Sequence, residues 1–202
     1  MTVKKGRLIA LEGTTGPSLN AAARIVARTL REATGSGGVS AWDASGIFTE
    51  LAAADSDVAA ASARTLTLLY AADLAFRVRW HILPALEAGE SVIAAPYIES
   101  AKALSIAAGL SKRWLDELFA FAPKPSICYR VPPGRVREGT TARGGYAEWF
   151  TNAVAASDNG LDPAQLRAKS TEYLRALEGR RRCRLLTAKE VDRLKQPPSR
   201  RR

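Results

Sequence analysis

Short apolar segments alternate with longer segments of helical periodicity along the 202 residues of the chain. The apolar segments predict five buried strands, at 7–12, 39–42, 89–95, 126–131 and 183–186. Helical patterns lie between them, at 19–33, 58–88, 98–108, 111–121 and 163–178. Because strands alternate with helices, we predict an α/β fold with a five-stranded parallel sheet and helices on both faces.

Local sequence signals add detail to this pattern. Pro84 predicts an end or a bend near the close of the long helix at 58–88. Thr187-Ala-Lys-Glu190 is a capping-box sequence for a last short helix. No linker or repeat divides the chain, so we predict one domain over 1–187 with a lid-like segment at 134–160. A short helix and a basic tail follow at 188–202.

The composition excludes several classes of protein. A hydrophobic share of 47% is typical of a globular protein and not of a disordered one. No apolar run approaches ~20 residues, so we expect no membrane span. No long apolar stretch follows the N-terminal lysines, so we expect no secretory signal and a cytoplasmic location. Cys128 and Cys183 are far apart, and we expect them to be free, buried thiols in a reducing cytosol.

The net charge of +10 is concentrated at the C-terminal end. Residues 179–202 hold ten of the 30 basic residues but only two of the 20 acidic ones. Such an end can attract nucleic acid or another polyanion, although a basic solvated tail that aids solubility has the same composition. His81, the single histidine, is expected to be structural because the sequence gives it no partner at hydrogen-bond spacing.

The turn after the first predicted strand lies where an α/β protein places a phosphate-binding loop. A P-loop reads G-x-x-x-x-G-K-[ST], and its backbone N–H groups hold the phosphates. This turn departs from that pattern: Pro17 has no N–H, Ser18 stands at the second glycine and Leu19 at the lysine. The candidate degenerate phosphate loop consists of Gly13, Thr14, Thr15, Gly16, Pro17, Ser18, Leu19 and Asn20.

Several further segments together resemble the thymidylate kinase family of P-loop nucleoside monophosphate kinases. They are Ile9-Ala-Leu-Glu-Gly13, Leu68-Leu-Tyr-Ala-Ala-Asp73, His81-Ile-Leu-Pro-Ala-Leu-Glu-Ala-Gly89, Trp114-Leu-Asp-Glu-Leu118 and Tyr129-Arg-Val-Pro-Pro133. The resemblance covers nearly the whole chain. It implies the P-loop α/β fold, a homodimer formed through the alanine-rich helix near 58–80, and ATP with magnesium as the cofactors of an active member.

The resemblance also shows which functional positions this chain has changed. The family's Asp-Arg pair after the third strand, which organises magnesium and grips the substrate phosphate, is Ala95-Pro96 here. The aromatic residue that stacks on the base is retained as Tyr70. Candidate residues of a nucleoside pocket are Asp43, Tyr70, Asp73, Tyr97 and Ser100. Candidate lid arginines, which could form a mobile clamp, are Arg135, Arg137 and Arg143.

Three functional hypotheses remain open on the sequence. The first is a catalytically inactive pseudokinase that acts in binding, regulation or assembly. It would need no cofactor and could bind a further protein partner. The second is an active ATP-dependent dTMP kinase with a rearranged phosphate site, which would need ATP and Mg²⁺. The third is a module that binds nucleic acid weakly through its basic tail. The aromatic residues Tyr146, Trp149 and Phe150 of the lid-like segment either pack over the changed pocket or contact a partner.

Overall fold

A five-stranded parallel sheet forms the centre of the protein, in the order β2-β3-β1-β4-β5. The computed structural model describes residues 6–53, 61–134, 145–156, 162–180 and 182–196. The strands are β1 (Arg7–Glu12), β2 (Gly38–Ala41), β3 (Ser91–Ala95), β4 (Ile127–Arg130) and β5 (Arg184–Leu185). The predicted number, order along the chain and parallel arrangement of the strands are confirmed.

Helices connect the strands and cover the sheet. They are α1 (Gly16–Thr34), α2 (Ile47–Ala53), α3 (Ala63–Arg77), α4 (Leu83–Glu87), α5 (Ile98–Ala107), α6 (Lys112–Leu118), α7 (Tyr146–Ala156), α8 (Pro163–Gly179) and α9 (Ala188–Arg193). The predicted short helix begins at the expected N-cap, because the side chain of Thr187 accepts a hydrogen bond from the Glu190 N–H. The Glu190 carboxylate accepts from the Tyr129 hydroxyl instead of completing the capping box. Helix α2 was not predicted, since its seven residues are too few to show a clear period.

Two hydrophobic layers lie on the two faces of the sheet. On one face, Ile9 and Leu11 of β1 pack with Val26 and Leu30 of α1, and Leu194 after α9 joins them. On the other face, alternate residues of β1 pack with α3, α5, α7 and α8. This division follows from the period of two along a strand, which sends successive side chains to opposite faces.

The long helix predicted over 58–88 is described from Ala63 and changes its pitch before Pro84. A turn of π-helix, Val78–Ile82, separates α3 from α4, and the Leu83 N–H bonds to the Val78 carbonyl five residues back. Pro84 has no N–H to donate to the preceding turn, and this missing hydrogen bond is a local cause for the change of pitch. Among the described residues, no helix combines the length and apolar character that a bilayer crossing requires.

The prediction of free thiols is wrong, because Cys128 and Cys183 form a disulfide with their Cα atoms 4.6 Å apart. The register of β4 and β5 pairs Tyr129 with Arg184, which places the preceding cysteines side by side. The two residues are separated by 55 positions, so their spacing in the sequence gave no signal. The cysteines consequently no longer support a reducing compartment.

Candidate functional site

The candidate site lies beyond the carboxyl ends of β1, β3 and β2, where parallel sheets place their ligands. A cavity of about 260 Å³ opens there, between the start of α1 and the turns that follow β2 and β3. Its lining residues come from four segments: Gly16, Leu19, Asn20, Ala41, Trp42, Asp43, Thr49, Ala95, Pro96, Gly145 and Tyr146. The described part of this lining includes the Ala95-Pro96 pair and Leu19, and it contains no basic side chain.

The amino end of α1 binds a carboxylate of the protein itself. The Gly16 N–H lies 2.9 Å from Oε1 and 3.0 Å from Oε2 of Glu148, and donates to both. Thr15, the N-cap residue, makes no side-chain capping bond. Helix amino ends attract anions, because their free N–H groups and the helix dipole favour negative charge. Glu148 therefore stands where a P-loop would hold phosphate oxygens.

Both edges of the undescribed segment 135–144 contact the start of α1. The Gly134 N–H donates to Ser18 Oγ at 2.8 Å. On the other side, a Cβ added to Gly145 would lie 2.5 Å from the Gly16 Cα, so both positions require glycine. The candidate lid residues Arg135, Arg137 and Arg143 lie outside the described residues.

The other loop positions are engaged internally. The Gly13 N–H donates to Ser100 Oγ at 2.9 Å, and the Thr14 and Thr171 hydroxyls lie 3.2 Å apart. Leu19, at the lysine position, is 3% exposed and packs in the core with Ile9 and Leu11. Asn20 is exposed at the rim of the cavity. The loop thus retains its place in the fold, with an apolar side chain in place of a cation.

Glu12, the last residue of β1, joins this loop to α5. Its buried carboxylate accepts hydrogen bonds from the Glu99 N–H (3.0 Å), the Ser100 N–H (2.8 Å) and the Ser100 hydroxyl (2.6 Å). The N–H of Tyr97 adds a longer contact of 3.3 Å. Burial raises the pKa of Glu12 to about 7, and its hydrogen bonds offset part of that rise.

The retained aromatic of the predicted nucleoside pocket, Tyr70, is fully buried. Its hydroxyl donates to the carbonyls of Pro96, at 3.1 Å, and Tyr97. Its ring centroid is 4.3 Å from that of Tyr146, the first residue of α7. Burial raises the pKa of the Tyr70 hydroxyl. Tyr146 therefore covers the ring of Tyr70.

The remaining predicted pocket residues also have internal partners. Asp73 accepts from the Ser45 N–H at 2.9 Å and the Ser45 hydroxyl at 2.8 Å. The Asp43 carboxylate accepts from the N–H groups of Phe48 (2.8 Å) and Thr49 (2.9 Å) at the start of α2. Tyr97 and Ser100 are buried, and of the five predicted residues only Asp43 lines the cavity.

Aromatic side chains from α7 fill the space above Tyr70. The Phe48 centroid lies 4.8 Å from that of Trp149 and 5.9 Å from that of Tyr146. Phe150 is fully buried 5.6 Å from Tyr146, and Trp149 is partly buried. Of the two sequence interpretations of this cluster, the structure therefore favours packing over the changed pocket.

Sequence reasoning missed Arg77, the largest of the fully buried side chains. Its guanidinium donates to the Ser40 carbonyl (2.7 Å) and to the Pro96 carbonyl (2.8 Å), so it ties the ends of β2 and β3 together. Asp73 lies 3.9 Å away and supplies the opposite charge. The available signal was an Asp and an Arg four residues apart, in the half of α3 that is otherwise apolar.

ATP and Mg²⁺, which the resemblance implies for an active kinase, do not fit the described residues of this site. Glu148 already bonds the amide that would meet a phosphate, and Leu19 and Ala95-Pro96 supply neither a cation nor a magnesium ligand. The described residues also contain no group of three or more His, Cys, Asp or Glu side chains that could hold a metal ion.

Comparisons with known proteins find relatives that match part of the chain. A probable thymidylate kinase of Pyrococcus abyssi is 43% identical over 84 residues, which are 41% of each chain. A probable thymidylate kinase of Pyrococcus horikoshii is 45% identical over 60 residues, covering 30% of this chain and 29% of the other. The chain thus matches well under half of the length of these curated relatives. No protein-family model matches it.

A solved structure extends the similarity in fold. The crystal structure of thymidylate kinase from Ehrlichia chaffeensis matches with a TM-score of 0.67, covering 93% of this chain and 95% of that one. Sequence identity in this match is 14%, so it shows the fold. The chain therefore shares the fold of that thymidylate kinase over nearly its whole length, and it is similar in sequence to probable thymidylate kinases over part of it.

Proposed function

We propose that this protein is a catalytically inactive thymidylate kinase-like protein that acts in binding, regulation or assembly. The observation that carries the proposal is the charge at the amino end of α1, where the Glu148 carboxylate bonds the Gly16 amide and no described basic side chain lines the cavity. An incoming polyphosphate would have to displace this carboxylate, since both are anions that need the same N–H group.

Three further losses support inactivity. Phosphoryl transfer depends on positioning and on charge stabilisation, and one catalytic arginine can contribute ~10³–10⁵ in rate. Leu19 cannot neutralise phosphate charge, and Ala95-Pro96 cannot organise magnesium. The Tyr146 ring covers Tyr70, so a base would also have to displace an aromatic side chain.

Calorimetric titration with ATP–Mg²⁺ and, separately, with dTMP tests the proposal. We expect no binding of either nucleotide at millimolar concentration and no phosphoryl transfer in a coupled assay. Micromolar ATP binding with turnover would establish the kinase alternative instead. In that case Arg137→Ala or Arg143→Ala should abolish turnover, whereas Arg175→Ala, at an exposed position of α8, should leave it unchanged.

We also propose a homodimer through the outer side of α3 and α4. Four large apolar side chains are exposed there: Leu68 (47%), Phe76 (37%), Trp80 (62%) and Leu83 (38%). Such a stripe can pair with its own copy about a twofold axis, because the same surface meets itself. Light scattering should give a dimer for the native chain and a monomer for Trp80→Glu. Phe121→Glu, which introduces the same charge at an exposed site away from the stripe, should remain dimeric.

A cytoplasmic location is part of the same proposal. The disulfide makes it testable, because a thiol-specific label applied to denatured protein from rapidly quenched cells distinguishes reduced from oxidised Cys128 and Cys183. Full labelling supports a reducing compartment. If the two cysteines react with the label only after dithiothreitol has been added, the protein comes from an oxidising compartment.

A further inference from the structure

The two faces of the sheet differ in charge. The layer on one face consists of α1 and α9 among the described elements. Together with the adjoining edge at 184–187 and the turn at 194–196, these helices carry seven basic and three acidic residues. The helices on the opposite face, α2 to α8 with the π-helical turn, carry nine of each. The excess positive charge of the folded domain therefore lies on one side.

On α1 the basic residues form a single row. Arg24, Arg28 and Arg31 are spaced by four and three residues, which places them on the same side of the helix. All three are exposed, while the opposite side of α1 is buried against the sheet. Arg31 donates to the Gly37 carbonyl at 3.0 Å, and Glu32 is the acidic residue of this helix.

Helix α9 extends the row. Leu194 packs in the same core as Val26 and Leu30, so the end of α9 lies against α1. Exposed basic side chains on this segment are Arg184, Lys189, Arg193 and Lys195. Glu190 pairs with Arg184 and Arg193, and Asp192 pairs with Lys195. The sequence continues from here with Arg200, Arg201 and Arg202 and no further acidic residue.

The distribution of apolar residues decides between two kinds of polyanion. Adsorption to an anionic membrane combines basic residues with apolar side chains on the same surface. Here the exposed row Leu68, Phe76, Trp80 and Leu83 lies in the opposite layer, and Ile25 is the large exposed apolar residue of α1. A basic surface with few apolar side chains suits the phosphate backbone of a nucleic acid.

We propose that the outer surface of α1 and α9 binds the phosphate backbone of nucleic acid without regard to sequence. This surface is defined by Arg24, Arg28, Arg31, Lys189, Arg193 and Lys195. It joins part of the basic C-terminal end to α1, which the sequence did not indicate. Tyr70 and α7 pack on the opposite face of the sheet, and the basic surface begins at Arg24, beyond the α1 residues Gly16, Leu19 and Asn20 that line the candidate site.

Fluorescence anisotropy with a labelled 24-base-pair duplex of mixed sequence tests the proposal over a range of salt concentrations. Each phosphate contact contributes about −0.9 to the slope of log K against log salt, so five or six contacts give a slope of about −5. The variant Arg24→Ala/Arg28→Ala/Lys189→Ala should make this slope shallower by about 2.7. It should also weaken binding at low salt at least tenfold.

A variant with the same loss of charge in the opposite layer is the control. Arg64→Ala/Lys169→Ala/Arg175→Ala removes three exposed basic residues from α3 and α8 and should leave affinity and slope nearly unchanged. Equal losses in the two triple variants would overturn the proposal, as would a native slope shallower than about −2. Binding to vesicles of anionic lipid without binding to the duplex would also overturn it.

Discussion

The same helix, α7, fills both ends of the candidate site, but through different interactions. We call the end at Gly16 the phosphate end and the end at Tyr70 the base end, after the ligand groups that the sequence analysis predicts there. At the phosphate end, α7 contributes one charged group, and the Glu148 carboxylate accepts hydrogen bonds from a single backbone amide. At the base end, it contributes the aromatic rings of Tyr146 and Phe150, which are buried in the core. A half-buried charge at a helix end contributes about 0.3–2 kcal/mol to stability, whereas the loss of a buried aromatic ring costs about 3–5 kcal/mol. The base end is therefore part of the core, and the phosphate end is closed by a contact that can be removed separately.

Removal of a buried ring tests the base end and should have the largest effect. Phe150→Ala deletes a fully buried side chain and leaves a cavity, so we expect a loss of about 3–5 kcal/mol in the free energy of unfolding. Urea unfolding followed by circular dichroism measures it. Phe121→Ala removes the same ring from a site that is 46% exposed and should cost less than about 1 kcal/mol. Similar losses in both variants would mean that α7 is not packed into the core.

Opening the disulfide tests whether α7 is held by more than its own packing. Cys128 and Cys183 enclose the whole excursion from β4 through α7 and α8 to β5. The double variant Cys128→Ser/Cys183→Ser should lose about 2–4 kcal/mol, because the unfolded chain gains the freedom of a loop of 55 residues. Dithiothreitol should destabilise the native chain by a comparable amount and leave the double variant unaffected. No effect of the reductant would show that the thiols are free.

The pH dependence of stability tests the link from the phosphate loop to α5. Burial raises the pKa of Glu12 to about 7, from an ordinary value of 4.5, so the folded protein binds this proton more tightly than the unfolded chain does. The stability from Glu12 is complete below about pH 4.5 and falls as the pH rises to about 7, by at most about 3 kcal/mol. The free energy of unfolding of the native chain, measured relative to that of Glu12→Gln, should therefore fall between pH 4.5 and 8. If the native chain instead becomes more stable relative to Glu12→Gln as the pH rises, the hydrogen bonds of Glu12 hold it as the carboxylate.

Neutralising the phosphate end should have the smallest effect. Glu148→Gln keeps an acceptor for the Gly16 amide but removes the charge at the helix end, so we expect a loss of about 0.5–1 kcal/mol, reduced by salt. Thermal unfolding at low and high ionic strength measures it. Glu172→Gln, at an exposed position on α8, is the matched control and should change stability little. A loss above about 3 kcal/mol would mean that the phosphate end, like the base end, is part of the core.

Much of the fold could be predicted from the sequence, and less of the site. The strands and most helices follow from local periodicity, and the N-cap at Thr187 was read directly from four residues. The sequence also showed that Leu19 replaces the lysine of the P-loop pattern. The roles of Glu148 and Arg77 were not predicted, because their partners Gly16 and Ser40 are 132 and 37 positions away and no local pattern relates them.

By itself the sequence determined the parallel α/β arrangement, the basic C-terminal end and the absence of the usual residues at the phosphate loop. These properties depend on residue types and on spacing within single elements. Only the tertiary structure decided that a carboxylate occupies the start of α1, that Tyr146 covers Tyr70, that the two cysteines are joined, and that the basic residues of α1 and α9 share one surface. The physical reason is that each of these contacts joins segments far apart in the chain, and the register and stacking of the sheet bring them together.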